Sequence, residues 1–190
     1  MIDLASAQPL QTCLVVGDSE LPVDTSFRAW LMFSRVLRET GICSPSAIGL
    51  SETPEGWRAA ALAFLNERPS TPRDDGAARA RGFDLDEDAP YIVGSFQAAY
   101  GVDLSDPAVD MHWHRFLALL WSLPAGSKLM EIAGYRQWSK ADAKRSPDAA
   151  AAERRRAWAL PERGGAERDA LVAYQMEWFG NVTPGGGSDG

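Results

Sequence analysis

The sequence is poor in the residues from which most protein chemistry is built. It has two cysteines, Cys13 and Cys43, and two histidines, His112 and His114, in 190 residues. Two thiols make neither a thiolate zinc site nor a disulfide framework, so both cysteines read as small buried hydrophobes. No apolar run nears the roughly 20 residues that cross a bilayer. The start, "MIDLASAQPL", has neither the basic segment nor the apolar stretch of a secretory signal. These absences point to a cytoplasmic chain with no membrane partner. Positive charge is also short: 19 Lys and Arg stand against 26 Asp and Glu, a net charge of −7. That balance argues against nucleic acid as a partner. A Gly-rich phosphate loop, a G-x-S-x-G elbow and a Cys–His pair with a third member are all missing. The sequence therefore carries no enzyme signature, and no cofactor is expected.

What remains is a globular composition, 45% apolar and 24% charged, enough for one domain with a real core. The pattern predicts a mainly α protein, a small helical domain of about six helices with an N-terminal β-hairpin. Cys13 to Val16, the turn Gly17-Asp18 and Leu21 to Val23 form the hairpin. A first helix, capped by Asp24 or Thr25, carries Phe27, Trp30, Leu31 and Leu37 at helical spacing and stops at Gly41. A second starts at Thr53-Pro54, with Trp57, Ala61, Phe64 and Leu65 as its stripe. Arg68 to Gly82 reads as a mobile loop. A third helix has Asp88 as its cap, Pro90 in its first turn and Gly101 as its stop. A fourth runs from Ser105 or Asp106 to a break at Pro124. A fifth covers "SKLMEIAGYRQW", and a sixth spans Ala141 to about Trp158. Ala170 to Trp178 is a further short helix before a flexible tail. The organisation is thus residues 1–23 with the hairpin, 24–158 as the helical domain, and 159–190 as a C-terminal extension.

The stretch "DMHWHRF", Asp110 to Phe116, holds both histidines. On a helix, His112 and His114 point about 200° apart and cannot share an ion. Asp110 and His114 are one helical turn apart and could pair, which is the only footing for a metal-dependent hydrolase. The commoner reading is a helix pair that orients a side chain. Val109, Trp113, Phe116, Leu117, Leu120 and Trp121 fall on one helical face, with Met111 and Arg115 opposite. Seven tryptophans are many for this length. Trp113 is either core or an interface anchor, since Trp and Arg concentrate at contact centres.

Charge is unevenly placed. Asp84, Asp86, Glu87, Asp88, Asp103, Asp106 and Asp110 follow one another with no Lys or Arg between them, whereas Lys140 to Arg156 is mostly basic. Such bipolarity suits head-to-tail self-association or a charged partner; solvated faces and helix-dipole compensation explain it equally well.

Phe83, Asp84, Asp88, Ile92, Ser95, Phe96, Tyr100, Gly101, Val102, Asp103 and Leu104 form an ordered series. It continues through His112, Trp113, Phe116, Leu123, Pro124, Tyr135 and Arg136. The series resembles the core of the bacteriophage Gp15 family of tailed phages and prophages. "VVGDSELPVDTSFRAWL" resembles that family's opening hairpin, with Ser26 where Asp is usual. The resemblance covers Thr12 to about Trp138, apart from a loop near Pro69 to Ala80. It implies a tail-assembly chaperone, acting in the host cytoplasm, that coats the tape-measure protein and helps recruit major tail-tube subunits. It implies no catalytic residue, cofactor or metal. A virion connector or adaptor is the alternative, and a homo-oligomer fits the bipolar charge. On this reading Trp113, Arg115, Phe116, Trp121, Tyr135 and Arg136 are the partner-binding candidates, and His114 looks incidental beside His112.

Overall fold

The structure is a computed structural model, and it describes residues 10–66, 82–138 and 149–161. It is mainly α, with the expected hairpin at its N-terminal end. Strand β1 (Cys13–Val16) pairs antiparallel with β2 (Ser19–Pro22), with Leu14 opposite Leu21. Both leucines are buried while Val15 faces out, the alternation that a sheet with one covered face requires. Gly17 makes the turn at φ 60°, a conformation that a Cβ disfavours. Two strands are marginal alone, and β1 leans on the second helix.

Six α-helices follow among the described residues: α1 (Phe27–Thr40), α2 (Trp57–Leu65), α3 (Ala89–Tyr100), α4 (Trp113–Trp121), α5 (Lys128–Gln137) and α6 (Ala149–Ala157). The cap of α1 is Ser26, not Asp24 or Thr25: its hydroxyl accepts from the Ala29 N–H. Asp24 instead accepts from the Ser26 N–H. Ser26, the departure from the family pattern, thus does the capping work open to either residue. Along α1, Leu31 is only half-buried, and Phe33 and Ser34 complete the inner face. α2 starts at Trp57 rather than Pro54, because Gly56 sits in the left-handed region at φ 90°. Its stripe of Trp57, Ala61, Phe64 and Leu65 is buried as the spacing indicates.

The largest departure concerns α4, which begins at Trp113 and not at Ser105 or Asp106. Asp103 accepts from the backbone and hydroxyl of Ser105, and Asp106 accepts from the Ala108 N–H. These side-chain turns compete with helix formation. Residues 111–113 then run extended beside residues 25–27: the Phe27 N–H donates to Met111 and the Trp113 N–H to Thr25, both at 2.8 Å. Met111 consequently lies buried instead of opposite the apolar face, and Asp110 is outside any helix.

Aromatic rings bind the core together. Phe116 of α4 stacks on Phe27 of α1 (5.3 Å), Phe96 of α3 (5.4 Å) and Trp113 (5.7 Å). Trp30 stacks on Phe64 at 4.4 Å. α6 packs on α5, with Ala151 buried. Both cysteines are free and half-buried rather than fully buried. The expected loop up to Arg81, the start of the sixth helix, the helix at Ala170 to Trp178 and the tail lie outside the described residues.

Candidate partner-binding groove and the ion-pair lock behind it

Two of the four acids at positions 84–88, Asp84 and Asp88, are buried, and they are satisfied from other elements. The Asp88 carboxylate receives both arms of Arg136, at 2.5 and 2.9 Å, and also accepts from the Asp84 N–H. Asp88 holds the cap position of α3, yet its side chain makes no cap hydrogen bond, because the carboxylate is spent on Arg136. Asp84 accepts from the N–H groups of Asp86 and Glu87 and lies 3.5 Å from Arg38. Arg38 also binds Asp86, which takes Arg35 at 2.5 Å as well. Arg136 reaches further, donating to the carbonyls of Gly82 and Trp158. Residues 82–88 are thus locked to α1, α5 and the end of α6. Asp88 is 1% exposed and Arg38 3% exposed, so losing either partner strands a buried charge, at about 3–5 kcal/mol.

The same segment carries the family motif onward. The Tyr100 hydroxyl donates to the Leu119 carbonyl at 2.8 Å, and Gly101 ends α3 at φ 68°. Leu104 is buried, and the Asp103 carboxyl is held below its usual range by the Ser105 hydroxyl and N–H. Arg28, next to the Ser26 cap, donates to the carbonyls of Leu104, Asp106 and Val109, which sews the 101–111 loop to α1. The roles of Arg28, Arg35 and Arg38 are not visible in the sequence, because their partners lie 46 to 81 positions away. For Arg28 the signal was its place beside Phe27 in the opening-hairpin resemblance.

The histidines do not behave as helix positions i and i+2. His112 caps α4: its Nδ1 accepts from the His114 N–H, and its Nε2 donates to the Gln11 carbonyl at 2.8 Å. His114 is not incidental. Its Nε2 donates to the Phe64 carbonyl at 2.8 Å, beside the Trp113 Nε1 bond to Leu65. Together they satisfy carbonyls at the end of α2. Burial pushes the His114 pKa down to about 4, against the Phe64 hydrogen bond, with neighbouring His112 lowering it further. The Asp110–His114 pair does not form as a helix pair, and no cluster of three or more metal-ligating side chains occurs among the described residues.

The six partner-binding candidates are dispersed. Trp113 and Phe116 are core, and Arg136 belongs to the lock. Trp121 is half-buried against the Phe83 ring edge, and half-buried Tyr135 donates to Glu131 beneath Arg154. Arg115 is exposed, in the wall of a groove of about 730 Å³. Val93, Gly94 and Gln97 of α3 form one side of this groove, and the 101–111 loop forms the other. Asp103, Asp106 and Asp110 stand exposed along it.

The fold and site define a small, mainly helical protein with an internal ion-pair lock and an open acidic groove. Residues 63–156 match the family described as Bacteriophage Gp15 protein, and on that match the chain belongs to the bacteriophage Gp15 family. Membership points to a structural or morphogenetic role in phage. The matched span takes in the lock's acids, the groove and most of α6, and it starts after the hairpin and α1. Comparison with curated proteins and with solved structures gives no match. No helix among the described residues is long and apolar enough to cross a membrane.

Proposed function

We propose that the chain is a non-enzymatic tail-morphogenesis protein, a chaperone that binds the tape-measure protein and helps recruit major tail-tube subunits. It acts in the host cytoplasm. The observation that carries this reading is the use the chain makes of its family motif. Phe83 to Arg136 builds a rigid, ion-paired frame, and what the frame presents outward is the groove lined by Gly101, Asp103 and Arg115. A protein that binds needs such a surface and no reacting groups. Arg115, Trp121 and Tyr135 remain as surface contacts on this reading, with Trp113, Phe116 and Arg136 holding the frame behind them. Co-expression with the tape-measure protein tests it: a soluble complex is expected, weakened by Arg115→Glu. A tape-measure protein that stays insoluble and does not co-purify would sink the proposal. A chain found instead in purified virions, with no effect on tape-measure solubility, would favour a connector or adaptor.

A further inference from the structure

Gly94 lies in the interior of α3 and on the groove. Glycine there destabilises a helix relative to alanine. Nothing among the described residues asks for it: a Cβ at Gly94 would meet nothing within 4 Å. What the missing side chain does provide is a place where another backbone can come close. Among the described lining residues the groove carries Asp103, Asp106 and Asp110 with one cation, Arg115, while Arg28 binds the backbone carbonyls of the same loop.

The complementary surface is on the same chain. On α6, Ala152, Arg155 and Arg156 are exposed and share one face at i, i+3 and i+4, with exposed Ala159 following just past the helix end. Among the described residues, the packing of α6 does not use this face. α6 docks through buried Ala151, through Arg154 over the Tyr135 ring, and through Trp158 against Tyr91. The Trp158 carbonyl is held by Arg136. One surface therefore offers small residues flanked by guanidinium groups, and the other offers a bare helix backbone flanked by carboxylates.

We propose that the groove docks the α6 face of a second copy of this chain. The two surfaces differ, so the contact is heterologous and assembles copies head to tail, into a ring or an open filament. The tape-measure reading uses the same groove, so a second copy and that partner compete for it, and the experiment separates the two. Sedimentation velocity of the full chain across a concentration series, at low and high salt, tests it. Association that grows with concentration and weakens with salt is expected. Gly94→Leu, Asp110→Arg and the double change Arg155→Glu/Arg156→Glu should each weaken it by about tenfold or more with melting temperature retained. Mixing the Asp110→Arg chain with the Arg155→Glu/Arg156→Glu chain should restore association at one-to-one stoichiometry: the unaltered groove of the second takes the unaltered α6 of the first, and the altered charges face each other at the next contact. If Gly94→Leu does not fold, the exposed Asp110→Arg variant and the mixing experiment carry the test. A wild-type chain that stays monomeric throughout overturns the proposal. So does association that survives the Asp110 and α6 changes. A monomer whose tape-measure solubilisation is lost in Asp110→Arg would assign the groove to that partner and end self-docking.

Discussion

The acids at positions 84–88 and those at 103–110 look alike in the sequence and are put to opposite uses. Asp84 and Asp88 are buried and, with half-exposed Asp86, are neutralised by Arg35, Arg38 and Arg136 from distant elements. Asp103, Asp106 and Asp110 stand in the open, and the first two spend their carboxylates on local turns. The difference is not one of residue type or spacing. It arises because α1 and α5 bring guanidinium groups to the first segment, while the second is held by Arg28 through backbone carbonyls, which leaves its carboxylates outward. A run of like charge can therefore be half skeleton and half surface.

The sharpest way to break this comparison is to remove one partner on the buried side. Asp88→Ala should cost about 3–5 kcal/mol in denaturant unfolding, because Arg136 is left charged and buried. Trp113→Ala, behind the groove, should cost a similar amount, about 3–5 kcal/mol, from the cavity and from the lost bond to Leu65. An unchanged melting temperature would show that Trp113 is not core.

A smaller effect is expected at His114. Its pKa is about 4 when folded and near 6.5 when free. Above pH 6.5 both states are neutral and the group contributes nothing to pH dependence. As pH falls from 6.5 towards 4 the unfolded chain takes up the proton first, so stability drops across that window by about 2 kcal/mol after allowance for partial exposure. His114→Gln should flatten that slope; an equally steep slope in the variant would contradict it. The smallest effect is expected at the groove. Asp110→Ala should change stability by less than about 0.5 kcal/mol, the usual range for an open surface site.

Much of the architecture was legible because it is local. Gly41 and Gly101 stop helices at positive φ, as their positions indicated, and Ser127 caps α5 at the head of its predicted segment. The start of α4 was not legible. An apolar period from Val109 to Trp121 looks continuous, yet the Asp103 and Asp106 turns and the pairing of residues 111–113 with 25–27 override it. The pairing joins residues far apart in sequence, so no local window contains it. The same holds for Asp88 and Arg136, 48 positions apart. Both stand in the motif series, but by sequence alone Asp88 reads as a helix cap and Arg136 as a partner contact. Two opposite charges within one motif series are the signal that they belong together.

A double-mutant cycle on Asp88 and Arg136 measures that pair directly. Unfolding free energies of wild type, Asp88→Ala, Arg136→Ala and the double variant should give a coupling energy of about 2–3 kcal/mol, with the double variant far less damaged than the two single losses added together. Additive losses, with no coupling, would mean that the first acidic segment is not locked, and the contrast between frame and groove would fall with it.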